Sequence, residues 1–200
     1  MNRRVLVAMA MLAATACGGD AGTGLVTSDQ LHFLRLSLSA PPLATPTVSV
    51  WAHFDSTTEA RVLFHALPGA SDSVALAELT IPAGSLRSAP DGSPLGPGDS
   101  VRVTLTVIDP VRMIVQFEPS GLRFSPSNPA RLAMAVSLAD PDLNGDGRVD
   151  ANDGLLEGKL HIWRQERTGD PWMQVSSTVD VGLGVVRANL AGFTNYAVAY

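Results

Sequence analysis

Asp142, Asn144, Asp146, Asp150 and Asp153 place five short, oxygen-bearing side chains within the run Asp142-Leu143-Asn144-Gly145-Asp146-Gly147-Arg148-Val149-Asp150-Ala151-Asn152-Asp153. A chain that turns tightly at this spacing can aim oxygens at one point. That is what a hard divalent cation of calcium's size needs: six to eight oxygens at about 2.3–2.6 Å. Asp142, Asn144 and Asp146 occupy the first, third and fifth positions of such a loop. Gly147 supplies the positive φ that the sharp turn requires at the sixth. Arg148 offers its main-chain carbonyl at the seventh, Asp150 coordinates directly or through water at the ninth, and Asp153 closes the ring at the twelfth. The competing reading is an acidic Asp/Asn/Gly surface hairpin. The positions in register favour Ca²⁺, in a structural role that pins a long connection between strands. The affinity expected is that of extracellular modules, about 10⁻⁴–10⁻³ M. Without the ion the four aspartates repel one another, so the loop is expected to be mobile.

The loop resembles an EF-hand loop, and more closely the dockerin version, D-x-N-x-D-G-x-V/I closed by Asp. The likeness covers this loop and little beyond it. Met134 to Leu138 before it alternates like a strand, so no entering helix is expected. Residues 152–158 after it have room for one or two turns. Dockerins carry two such loops and this chain has one, so docking onto a cohesin is not implied.

The chain has a single cysteine, which excludes an internal disulfide. Arg3 and Arg4 precede the apolar run Val5 to Ala13, which is too short to span a bilayer and of the length of a signal h-region. Ala14-Thr15-Ala16-Cys17-Gly18 then resembles the lipobox of bacterial lipoproteins, which implies a signal peptide over 1–16 and acylation of Cys17. Ala14-Thr15-Ala16 also suits an ordinary signal peptidase, which would release a soluble chain. On the lipoprotein reading, acyl chains on Cys17 hold the protein to a membrane without a spanning helix. Residues 17–30 form a flexible tether, and Gly18 after the cysteine leans towards the outer membrane.

Leu79-Thr80-Ile81-Pro82-Ala83-Gly84-Ser85-Leu86 resembles the IPxGAL element of ZU5 domains. Phe117-Glu118-Pro119-Ser120-Gly121-Leu122-Arg123-Phe124, followed by Pro129-Ala130-Arg131-Leu132, resembles their P-x-G-x-x-F … P-x-x-L run. Gly192-Phe193-Thr194-Asn195-Tyr196-Ala197-Val198 is similar to the terminus of self-cleaving GPS and ZU5 modules. The resemblance makes Thr194 the nucleophile and Phe193–Thr194 the scissile bond. Gly192 stands where those modules carry the histidine base, and a hydroxyl without a positioned base is a weak nucleophile. No self-cleavage is expected.

The elements that must hold these residues are strands. Val101-Arg102-Val103-Thr104-Leu105-Thr106-Val107 alternates strictly, Met113, Val115 and Phe117 and Leu132, Met134, Val136 and Leu138 repeat the pattern, and weaker candidates lie at 32–38, 47–54, 60–66, 74–81, 159–165, 172–178, 183–190 and 193–200. Turn chemistry separates them, for example Pro90-Asp91-Gly92 and Pro97-Gly98-Asp99. Short strands at this spacing predict an all-β fold, an antiparallel β-sandwich over 31–200 that is ZU5-like with the calcium loop inserted. Phe117, Phe124, Trp163, Trp172 and Phe193 are candidate core aromatics. Alternatively, Trp51, Trp163 and Trp172 line a sugar-binding face.

The net charge is −5 across 200 residues, with no basic face to favour nucleic acid. His32, His53, His65 and His161 are scattered, with no HExxH, and there is no G-x-S-x-G elbow or phosphate-binding glycine loop. Asp55, Glu59 and Glu78 could supply a carboxylate pair for glycoside hydrolysis, but isolated surface acids are far commoner. The sequence therefore leads to a non-enzymatic adhesion or interaction module, with a protein or polysaccharide ligand. The alternative is a carbohydrate-binding accessory module that uses exposed tryptophans.

Overall fold

A computed structural model describes residues 24–66, 69 and 73–200. The segment 1–16 expected to be a signal peptide, and Cys17, lie outside the described residues. The elements in order are β1 (Leu25–Val26), β2 (Thr47–His53), β3 (Thr58–Leu63), β4 (Ala75–Ile81), β5 (Leu86–Ser88), β6 (Ser100–Asp109), β7 (Ile114–Glu118), β8 (Arg123–Phe124), β9 (Ala130–Ala135), α1 (Ala151–Glu157), β10 (His161–Gln165), β11 (Trp172–Gln174), β12 (Ser177–Asp180), β13 (Val185–Leu190) and β14 (Asn195–Ala199). Two antiparallel sheets hold most of them. One runs β1-β11-β10-β14-β7-β6-β2 and the other β12-β13-β9-β4-β3, while β5 and β8 form a separate pair. The architecture is mostly β and antiparallel, in the two-layer layout of a β-sandwich.

The alternation of β6 explains the layering. Val103 and Leu105 are wholly buried while Thr104 and Thr106 are half-buried, so one face looks into the core. That face meets Leu76, Leu79 and Ile81 of β4, Leu132 and Met134 of β9, and Val186 of β13 in one apolar cluster between the sheets. β14 does not alternate: all five of its residues are buried. The reason is a second, smaller core on the outer face of the seven-stranded sheet. There Ile114, Trp163, Trp172, Ala197 and Ala199 are covered by Leu31, with Val26 and Phe33 packed alongside. A strand covered on both faces shows a continuous apolar run.

Three boundaries differ from the expectation. The fold takes in residues assigned to the tether, because Leu25 and Val26 pair with Met173 and Trp172 and the Trp172 indole N–H donates to Ser28 Oγ (3.0 Å). Residues 32–38 make only isolated bridges, Phe33 to Ala199 and Leu36 to Ala139. The pairing of β7 with β14 ends at Tyr196, and 32–34 occupy the rest of that edge irregularly, with Leu34 N–H on the Val198 carbonyl (2.9 Å). The candidate 172–178 divides into β11 and β12, which belong to different sheets.

Candidate metal centre

The acidic loop starts and ends at the same end of the sandwich. Beyond β9 the chain is fixed by Ala139 N–H on the Val136 carbonyl (3.1 Å) and Asp140 N–H on the Arg35 carbonyl (2.7 Å). It returns to β10 after α1. Asp142 anchors the first turn: its Oδ1 accepts from Gly145 N (2.9 Å) and Asp146 N (3.1 Å), and its Oδ2 from Gly147 N (2.7 Å). This curl needs left-handed backbone at Gly145 (φ +73) and Gly147 (φ +84), which glycine adopts without a Cβ penalty. Asn144 Oδ1 accepts from Asp146 N (2.8 Å), its Nδ2 donates to Asp146 Oδ2 (3.2 Å), and Asp146 Oδ1 accepts from Arg148 N (2.9 Å).

Asp153 closes the loop. Its Oδ1 accepts from Leu143 N (2.8 Å) and Asn144 N (3.2 Å), and its Oδ2 from Asp150 N (2.8 Å). It is 4% exposed. These N–H donors, that of Asp150 first, hold its carboxyl below the usual range against the opposing effect of burial. Asp150 is the N-cap of α1 and accepts from Asn152 N (2.8 Å), so Asp150 and Asp153 form a reciprocal capping box. α1, Ala151–Glu157, is the short helix for which the sequence left room of one or two turns after the loop.

Tyr200 was not singled out by the sequence. Its hydroxyl donates to the Leu143 carbonyl (2.6 Å), and its ring stacks on His32 with centroids 5.1 Å apart. Burial first, and then the charges of Asp153 and Asp142, push the Tyr200 phenol up. The sequence carries no local signal for this contact, because it joins residues 57 positions apart.

The donors fit calcium in kind: all are oxygens, and carboxylates predominate. Asp142, Asp146, Asp150 and Asp153 have no ion-pair partner among the described residues. They do not converge as placed. Among the described residues, no three His, Cys, Asp or Glu side chains are gathered closely enough to hold a metal ion. Each carboxylate instead binds the loop's own N–H groups. A carboxylate oxygen has two acceptor sites, so Asp142 Oδ2 and Asp153 Oδ2, with one N–H each, retain capacity for a cation.

The residues aligned with a self-cleavage site lie at the opposite end. Phe193 is buried against Phe117 and Phe124, with centroids 5.5 and 5.0 Å away. The Thr194 hydroxyl is buried and donates to the Gln165 carbonyl. A Cβ on Gly192 would lie 2.7 Å from the Leu122 carbonyl oxygen, so this backbone leaves no room for a histidine there. The Gly192 carbonyl accepts from the Tyr196 hydroxyl (2.6 Å). The two segments that resemble ZU5 elements meet here: Leu86 pairs with Phe124, and Ser125 N–H donates to the Ser85 carbonyl (2.8 Å).

The three tryptophans do not form a platform. Trp163 and Trp172 are buried in the second core, while Trp51 is 58% exposed on β2. Glu59 and Glu78 flank Arg61 at 3.3 and 3.2 Å, and Asp55 accepts from Gly98 N (2.7 Å), which gives each acid a structural partner. Among the described residues no helix is long and apolar enough to cross a membrane. No protein-family model, no curated protein and no solved structure matches the chain.

Proposed function

We propose that the protein is a lipid-anchored, extracytoplasmic, calcium-binding β-sandwich module of ZU5-like type, non-enzymatic, that presents an adhesion or interaction surface. One observation carries the calcium reading. Four aspartates share the 142–153 loop without a basic partner among the described residues, on a backbone already curled by Gly145 and Gly147. Like charges at this density in a partly buried loop are costly unless a cation joins them.

Calcium, when bound, supplies the double positive charge that offsets this repulsion. Asp142, Asn144, Asp146 and Asp153 would hold it through side-chain oxygens, Arg148 through its main-chain carbonyl, and Asp150 directly or through water. The rest is done by the chain. Asp150 caps α1, Asp153 ties the start of the loop to its end, and Tyr200 fixes Leu143 to the end of the sheet. The consequence is a stiffened connection between β9 and β10. The lipid-anchor reading rests on the residues around Cys17.

Calorimetric titration of calcium into the purified protein and its Asp146→Ala variant tests the site. The wild type should bind one ion with a dissociation constant of about 10⁻⁴–10⁻³ M, and the variant none. Equal heats from both would overturn the assignment. Intact mass tests the anchor: an acylated chain beginning at Cys17 supports it, and an unmodified one removes it.

A further inference from the structure

Ten large apolar side chains are exposed among the described residues: Leu25, Trp51 and Met173 lie along the seven-stranded sheet, Val149 and Leu155 in and after the acidic loop, and the other five at or beside loop tips. Leu38, Ile108, Val111, Val181 and Leu183 are all exposed, Leu38 fully. Each sits at or beside a loop tip, and the hydrogen bonds tie those loops together at one end of the sandwich. Leu36 N–H donates to the Val111 carbonyl (2.9 Å), Ser37 N–H to the Leu138 carbonyl (3.0 Å), and Val136 N–H to the Gly184 carbonyl (2.8 Å). Singly scattered apolar residues need no explanation, whereas a group at one end marks a contact surface. The opposite end buries its large side chains in the aromatic cluster of Phe117, Phe124 and Phe193.

The chain enters the fold from the same end. One row of partners crosses the seven-stranded sheet from Val107 through Val115, Tyr196, Arg164 and Met173 to Leu25. Leu25 is therefore level with the residue before Ile108. β1 runs antiparallel to β11, so the residues before Leu25 come from the side of the tips. Seven residue steps separate Cys17 from Gly24, a reach of about 25 Å at full extension. An acyl group on Cys17 therefore keeps the domain within a few nanometres of the bilayer, with this end leading.

We propose that the end carrying Leu38, Ile108, Val111, Val181 and Leu183 rests on the surface of a lipid bilayer, with these side chains in its interfacial layer. The inference rests on the lipid-anchor reading. That anchor supplies the membrane attachment, and the aliphatic tips orient the domain on it. Aliphatic side chains at an interface add affinity in proportion to the apolar area they bury, and a tethered domain needs only a shallow contact to hold one orientation.

The test uses the full, acylated protein in vesicles of phosphatidylethanolamine and phosphatidylglycerol with calcium present. Leu38→Cys, Leu183→Cys and Ser56→Cys are each labelled with an environment-sensitive fluorophore. Ser56 lies in the exposed turn between β2 and β3 at the far end, and an acylated Cys17 leaves one free thiol per variant. The labels at 38 and 183 should shift to the blue and be quenched by a quencher carried on lipid chains, and the label at 56 should do neither. Three solvent-like labels on a chain whose mass shows acylation would overturn the proposal while leaving the anchor intact. Blue shifts at 38 and 183 without lipid quenching would also overturn it and assign the face to a protein contact. A chain that lacks the acyl mass fails the anchor reading separately.

Discussion

The two ends of this sandwich are held by different physics. At one end Phe117, Phe124, Phe193 and Tyr196 interlock, with ring centroids 5.0–5.5 Å apart, and the nearby polar atoms, such as the Thr194 hydroxyl and the Gly192 carbonyl, are paired inside the protein. At the other end the carboxylates are held mainly by backbone N–H groups, with the Asn144 amide on Asp146, and have no countercharge among the described residues. Packing is indifferent to ions and, over most of the range, to pH, whereas a loop shaped by charge responds to both. The aromatic end thus behaves as fixed framework and the acidic end as the part that solution conditions can tune.

Phe193→Ala should draw the contrast most sharply. Removing a buried ring costs about 3–5 kcal/mol, read by denaturant unfolding, and the calcium response of the remaining structure should persist. Asp142→Ala comes next. At a hundredfold excess of calcium over its dissociation constant, binding stabilises the wild type by about 2.7 kcal/mol. The variant should lose that increment, so its melts with calcium and with chelator should coincide. Gly192→His forces a side chain against the Leu122 carbonyl and should cost about 1–3 kcal/mol. Its intact mass should still show no cleavage at Phe193–Thr194, because the Thr194 hydroxyl remains committed to the Gln165 carbonyl.

A pH series in chelator separates the ends again. The Asp153 carboxyl is lowered in the folded state by the Asp150, Asn144 and Leu143 N–H groups. Its contribution is therefore complete above the unfolded value of about 3.9 and is lost as pH falls through the lower folded value. Asp153→Asn should flatten the stability curve in that acid window and lower it near neutrality by the contribution lost, with no change of slope there. The smallest effect belongs to Trp51→Ala. With the indole 58% exposed, stability should stay within about 0.5 kcal/mol. Retention on immobilised polysaccharide should be unchanged too, since Trp163 and Trp172 are buried away from it.

Local pattern made part of this legible. The alternation of 101–107 lies in β6, and the first part of that of 132–138 lies in β9, which ends at Ala135 before a turn, because a half-buried strand writes its period into the sequence. The second core was not legible. Trp163 and Trp172 are buried with Val26, Leu31 and Phe33 packed against them on the outer face of the sheet, a long-range event that a window of ten residues does not contain. The same holds for 172–178, whose change of sheet near Ser176 depends on the closure of the sandwich. β5 and β8 are too short to carry a period at all. In the loop, residue types and spacing marked the oxygen-bearing side chains and the turn at Gly147. The use of Asp142 and Asp153 as acceptors of the loop's own N–H groups, and the reach of Tyr200 to Leu143, came only with the fold.

The central claim is that 142–153 takes up a cation, and Tyr200 provides a reporter beside it. Terbium is a calcium substitute that emits when excited through a nearby phenol. Titrated into the protein, it should give emission that calcium displaces, that Asp142→Ala abolishes, and that Tyr200→Phe strongly weakens. Emission of equal strength from wild type and Asp142→Ala, or none from either, would contradict the account.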